Sequence, residues 1–222
     1  MTLSSFIKRR VFGLRWRWEG LNNALYDWRH GVETHQECFL NSQGVTEEQA
    51  KQGNDVYRPF WPKEFFAAIE TLDIDPKEYD FIDIGAGKGK LLLLASHFPF
   101  SEIIGIEFAP SLHAVAVKNI QKLKAKTRVP ITIECIWADA LTWDLPNRPA
   151  VYFLYNPFDF TTTRAFFLKL DEHAAKTRLP TFLIYANLRG VVERQAAFAS
   201  GRSLFPKTTT PRYVVYQNRV VS

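Results

Sequence analysis

Only two cysteines, Cys38 and Cys135, occur in the 222 residues, and they lie far apart without metal-ligand spacing. That excludes a disulfide framework and a zinc site, and both are read as reduced thiols of a cytoplasmic protein. The Arg-rich start with Thr2, Ser4 and Ser5 also has the composition of a transit peptide, which makes the location mitochondrial if the source is eukaryotic. Long apolar runs are missing too: none approaches the roughly 20 residues of a membrane-spanning helix. There is no internal repeat and no low-complexity tract. Acidic residues are absent from the first 18 positions, where Lys8, Arg9, Arg10, Arg15 and Arg17 account for the whole net charge of +5. A basic arm over residues 7–18 suits nucleic acid or an anionic membrane surface, and its structural alternative is a solvated helix face.

What the chain has in quantity is apolar surface: 46% of residues are hydrophobic and 14% aromatic, which excludes a disordered chain. The length suits one α/β domain with an appended segment. Ile7, Val11, Leu14, Trp18, Leu21, Leu25 and Trp28 recur at spacings of four and three, the stripe of an amphipathic helix, which Gly13 and Gly20 weaken. Such a stripe predicts packing on the parent domain; the alternative is a basic amphipathic helix lying on a membrane. From Asp27 to Asp55 the chain is polar and irregular, a loop-rich connector in which isolated histidines such as His30 and His35 are more often structural than catalytic. The division is therefore residues 1–56 as a helical and loop extension and residues 57–222 as the main domain. Tyr57-Arg58-Pro59-Phe60-Trp61-Pro62 leads into a helix with Pro62 in its first turn and Phe65, Phe66, Ile69 and Leu72 on its apolar side. This aromatic segment serves either as core or as cover for a ligand.

The chain is organised around Phe81-Ile82-Asp83-Ile84-Gly85-Ala86-Gly87-Lys88-Gly89-Lys90, an apolar run that ends in an acid and three alternating glycines. It reads as a buried strand breaking into a ligand-cradling turn, with a helix resuming at Leu91. Glycine lacks Cβ, so the backbone can take unusual dihedrals and approach a bound molecule closely. The spacing fits neither a dinucleotide fingerprint, which needs a glycine where Lys90 stands, nor a Walker loop. Lys88 and Lys90 are expected to point to solvent.

Beyond the turn, strands and helices alternate: strand 102–107, helix from Pro110 to about Lys124, strands 131–138 and 150–156, helix from Thr161 to about Lys176, and strand 181–186. A further helix is expected over 191–199, and a hairpin over 204–210 and 212–218 closes the chain. The fold class is α/β: a Rossmann-like, mostly parallel sheet covered by helices on both faces, with a closing antiparallel hairpin and an N-terminal helical extension. In such a sheet ligands bind beyond the carboxyl ends of the strands. Asp83, Glu107, Asp139 and Asn156 all fall at those ends. A carboxylate at Glu107, 18 positions beyond Gly89, can accept hydrogen bonds from both hydroxyls of a ribose.

The Asp-x-Gly-x-Gly-x-Gly pattern from Asp83 to Gly89 resembles the first motif of the class I S-adenosylmethionine-dependent methyltransferases. The resemblance covers about residues 57 to 188 and implies S-adenosyl-L-methionine as cofactor. It places Asp83, Gly85, Ala86, Gly87 and Gly89 near the methionine end, and Glu107 with Phe108 at the ribose. Asp139 and Ala140, in Trp137-Ala138-Asp139-Ala140, fall at the adenine, with Asp144 a nearby competitor. Tyr155-Asn156-Pro157-Phe158 resembles the Asn/Asp-Pro-Pro-aromatic motif of methyltransferases that act on nitrogen, although one proline is missing. That likeness makes Asn156, Pro157 and Phe158 the acceptor-side catalytic candidates. Asp27 to Thr34 and the Tyr-Asn-Pro-Phe segment together are similar to a mostly bacterial, little-characterised branch of the family. The expected activity is methyl transfer to a nitrogen of a protein side chain or small molecule, the methyl acceptor being the partner. The rival reading is a non-catalytic cofactor-binding or RNA-binding module that uses the basic arm with Arg202, Lys207, Arg212 and Arg219.

Overall fold

Strands and helices alternate along the main domain in a computed structural model that describes residues 21–39, 44–46, 56–127, 132–187, 198 and 200–219. The basic arm and most of the helix expected over 191–199 lie outside the described residues. Residues 21–30 form α1. Two short strands, β1 (Cys38–Phe39) and β2 (Val56–Tyr57), pair antiparallel across the connector. There follow α2 (Pro62–Glu70), β3 (Asp80–Ile84), α3 (Lys90–Ala95), β4 (Ile103–Glu107), α4 (Pro110–Lys126), β5 (Ile133–Trp137), β6 (Ala150–Tyr155), α5 (Phe160–Thr177), β7 (Thr181–Ala186), β8 (Leu204–Thr209) and β9 (Tyr213–Asn218).

The main sheet has the order β5-β4-β3-β6-β7-β9-β8. Strands β3 to β7 are mutually parallel; β9 runs antiparallel to β7 and to the edge strand β8, with which it forms the closing hairpin. After β5 the chain returns to the far side of β3, so strand order reverses between β3 and β6. A crevice opens there at the carboxyl ends. Every residue of β3 is buried, as expected of a central strand covered on both faces. Alternation with period two sends Phe81, Phe153, Ile184 and Val215 into one apolar cluster and Ile82, Tyr152, Leu154 and Leu183 into another on the opposite face. Phe65 of α2 serves the first cluster, and Phe166 of α5 the second. The Asp159 carboxylate accepts from Thr162 N at 2.7 Å, capping α5 and setting where the chain turns after β6.

Two expectations are corrected. First, the part of the N-terminal stripe that is described does not face the domain: Leu21, Leu25 and Trp28 are 66%, 59% and 81% exposed. The face of α1 that docks is instead the polar one, with Asn23 and Asp27 buried, because Asp27 finds both hydrogen-bond donors and a cation there. Second, Lys88 and Lys90 do not point to solvent but are only 6% and 2% exposed, each drawn inward by an acid of the N-terminal segment.

Candidate active site

The glycine turn is fixed by backbone hydrogen bonds before any ligand arrives. Gly85 N and Ala86 N both donate to Ile106 O at 2.9 and 3.0 Å, and Gly89 N donates to Ala86 O at 2.8 Å. These bonds tie the loop after β3 to the end of β4, bringing Glu107 beneath it. The Glu107 carboxylate accepts from Gly87 N at 2.7 Å through Oε2 and from Ala109 N at 2.8 Å through Oε1. One acid thus spans the loop and the start of α4.

Two glycines are required by their neighbours as well as by their dihedrals. At Gly85, with φ of 78°, a Cβ would overlap Pro157, so the turn after β6 presses directly on the glycine loop. At Gly87, with φ of 56°, a Cβ would fall against the Tyr57 ring. Tyr57 therefore lies on the loop as cover, while Phe60 and Trp61 of the same aromatic segment are core. Phe60 packs at 5.3 Å from Phe153 and 4.8 Å from Tyr155, ring centroid to centroid.

The acids of the site, Asp83 and Glu107, are buried, and burial works against their charge. Burial pushes Asp83 well above the ordinary carboxylate range, and the neighbouring Glu107 adds to it. Burial raises Glu107 from 4.5 to about 7, against the hydrogen bonds it accepts from backbone N–H groups. Two carboxyls withdrawn from water, with no Lys or Arg in a salt bridge to either among the described residues, suit a ligand that is itself cationic and carries hydroxyl donors.

Trp137, largely exposed at the end of β5, holds its indole by an Nε1 hydrogen bond to Phe108 O at 2.8 Å. An aromatic plane is thus presented at the edge where the adenine is expected. Asp139 lies two residues on and is exposed, its Oδ1 accepting from Leu141 N at 2.8 Å within its own turn; Ala140 is buried behind it. Asn156 follows β6 with φ of 42°, a left-handed conformation that Asn tolerates better than most residues. Its Oδ1 accepts from the Tyr185 hydroxyl at 2.8 Å. Phe158 is buried in the second apolar cluster, 6.3 Å from Phe166, on the core side of the turn rather than over the crevice.

The structure adds a group of residues that sequence reasoning did not assemble. Asp27 accepts from Thr34 Oγ1 at 2.6 Å, from Thr34 N, from His35 N at 2.7 Å and from His35 Nδ1 at 2.8 Å. Burial alone would raise this carboxyl, but the hydrogen bonds from Thr34 and His35 hold it below its ordinary value. It lies 3.6 Å from Lys90 Nζ, which also sits 3.6 Å from the Tyr26 ring centroid. Burial lowers Lys90 to about 8 despite Asp27. Alongside, Glu33 and Asn119 exchange two hydrogen bonds, Asn119 Nδ2 donates to Lys88 O at 2.9 Å, and Lys88 Nζ reaches Glu33 at 3.2 Å. Tyr57 Oη closes the group by donating to Thr34 O at 2.9 Å. Asp27 to His35 is therefore fastened to the glycine loop and to Tyr57, which covers it. Its sequence signal was the pairing of Asp27 with Thr34 around Gly31, whose φ of 67° lets the chain turn back on the acid.

A parallel sheet with a first-strand glycine loop, carboxylates at the strand ends and an antiparallel strand inserted before the last defines a Rossmann-like methyltransferase fold. Solved structures of that fold superpose on the chain. TrmN from Thermus thermophilus does so with a TM-score of 0.54 at 15% identity, over 72% of this chain and 49% of that one. Geranyl diphosphate C-methyltransferase from Streptomyces coelicolor A3(2), in complex with Mg2+, geranyl diphosphate and S-adenosyl-L-homocysteine, gives 0.50 at 12% identity over 72% and 79%. SMU.472 complexed with S-adenosyl-L-homocysteine gives 0.50 at 14% identity over 82% and 56%. No family model matches the sequence, and no curated protein matches it.

Proposed function

We propose that this chain is an S-adenosyl-L-methionine-dependent methyltransferase whose acceptor is a nitrogen of a protein side chain or small molecule. The observation that carries the reading is the pair of buried carboxyls, Asp83 and Glu107, set under a pre-formed glycine loop at the switch point of a methyltransferase-fold sheet. The residues fit the cofactor. Glu107 offers its oxygens to ribose hydroxyls, and Asp83 is a negative group for the cationic methionine end. Trp137 and Phe108 offer apolar surface for the base, with Asp139 and the Ala140 N–H beside them. The amides of Gly85, Ala86, Gly87 and Gly89 already donate within the protein, so the loop acts mainly through its shape and close backbone approach.

When bound, the cofactor supplies a methyl group on sulfonium, open to in-line displacement by a nucleophile. The chain's own contribution is positioning, which supplies about 7 to 11 kcal/mol by effective molarity when reacting atoms are held in line. Pro157 against Gly85 sets the acceptor-side turn on the cofactor loop, and Tyr185 fixes the Asn156 carboxamide there. Asn156 orients the acceptor and does not take its proton. The Tyr-Asn-Pro-Phe likeness supports nitrogen as the target.

Calorimetric titration of the purified protein with S-adenosyl-L-methionine tests the reading, alongside Glu107→Ala and Gly87→Leu. Saturable binding that both substitutions weaken is expected, followed by transfer of labelled methyl to an acceptor in lysate fractions. Absence of binding to well-folded wild-type protein would refute it.

A further inference from the structure

Helix α1 presents two unlike faces. Its inner face is polar and committed to the domain through Asp27, Tyr26 and Lys90. Leu21, Leu25 and Trp28, spaced four and three residues apart, line its outer face and are among the most exposed large apolar side chains described. Among the described residues, none buries these two leucines and the tryptophan. In sequence the same period runs back through Trp18, Leu14, Val11 and Ile7, and residues 7–18 carry five basic residues and no acid.

A second surface meets this one. Helix α4 contains no acidic residue and carries exposed Lys118, Lys122 and Lys126 at four-residue spacing, one row along the helix, with Lys124 exposed in its last turn. Lys126 Nζ donates to His30 O at 2.7 Å, so the end of the lysine row abuts the end of α1. Exposed Arg29 adjoins Trp28 at the same place.

We propose that the outer face of α1 and the lysine row of α4 together dock the protein on an anionic lipid surface. A lipid interface takes both chemistries at once: leucine enters the acyl boundary, tryptophan sits at headgroup level, and lysines meet the anionic headgroups. A nucleic acid backbone would use the lysines but has no counterpart for the aliphatic stripe. The proposal is independent of the methyltransferase reading, because none of these side chains is among those assigned to the cofactor or the acceptor.

The test is sedimentation of the full chain with vesicles of phosphatidylcholine alone and of phosphatidylcholine with phosphatidylglycerol, at low and high salt. Binding is expected to the anionic vesicles only and to fall with salt. Leu25→Gln with Trp28→Gln should weaken it at least tenfold, and each of Lys118→Gln and Lys122→Gln by about fivefold. All four positions are exposed, and unchanged circular dichroism and thermal melts check that the variants fold. No binding to anionic vesicles, or binding that Leu25→Gln with Trp28→Gln leaves intact, would overturn the proposal. So would retention of a single-stranded RNA oligonucleotide, lost in the lysine variants, by a protein that ignores vesicles.

Discussion

Cofactor affinity should depend on pH through Glu107. In the free protein this carboxyl is raised to about 7, because burial penalises its charge more than the backbone N–H groups of Ala109, Gly87 and Phe108 support it. Ribose hydroxyls donating to it, and a cationic ligand nearby, favour the ionised form, so binding must expel the proton wherever the free protein still holds it. If the bound value falls below about 5, affinity should drop roughly 30-fold, about 2 kcal/mol, between pH 8 and pH 5.5, and level off above pH 7.5. Asp83, raised in the same direction, can only steepen the slope. Calorimetry at pH 6 in buffers of different ionisation enthalpy should register release of about 0.9 proton per site, as a group titrating near 7 requires. Glu107→Gln should bind weakly and lose that proton release. In the free protein the sign runs the other way: a folded state that keeps a proton the unfolded chain gives up is less stable at pH 7.5 than at pH 5, by about 2 kcal/mol from Glu107 alone. Affinity constant within twofold from pH 5.5 to 8 would refute the assignment of Glu107 to the ligand.

Other perturbations separate the parts of the site. Gly87→Ala forces a side chain into a left-handed backbone and against Tyr57, so thermal melts should show a loss of about 1 to 3 kcal/mol, partly recovered by adding Tyr57→Ala. Asp27→Ala leaves Lys90 buried without its acid and should cost about 3 to 5 kcal/mol in urea unfolding; adding Lys90→Met should regain the part due to the stranded charge but not the part due to the Thr34 and His35 donors. Tyr185→Phe removes the hydrogen bond that orients Asn156; methyl transfer should fall about tenfold while cofactor affinity, measured by calorimetry, stays within twofold.

The strand that breaks into alternating glycines was legible because its chemistry is local: an apolar run, an acid and three residues without side chains lie within ten positions. The parallel sheet and its closing hairpin were legible for the same reason, since each element carries its own period and punctuation. The Asp27 group was not, because it joins residues from α1, the connector, the loop before α3, the first residue of α3 and the middle of α4. Sequence spacing gives no hint that Asn119 meets Glu33 or that Lys90 turns inward. The N-terminal stripe shows a sharper limit. A period of 3.6 says that a helix has two faces but not which one docks, and here a buried ion pair decided against the apolar face. Phe158 illustrates a related limit: a motif read as a row of residues cannot say which side of the turn each takes. The ring after Pro157 went to the core.

The contact of Pro157 with Gly85 carries a consequence for the history and re-engineering of such a protein. Two positions 72 residues apart share one small volume, so Gly85 cannot gain a side chain unless Pro157 gives way. Related sequences should keep or alter them as a pair, and a deep sequence alignment would display that covariation. Exchanging the turn after β6 for one from another enzyme, as a designer seeking a new acceptor would do first, should disturb methyl-donor binding unless the glycine loop is exchanged with it.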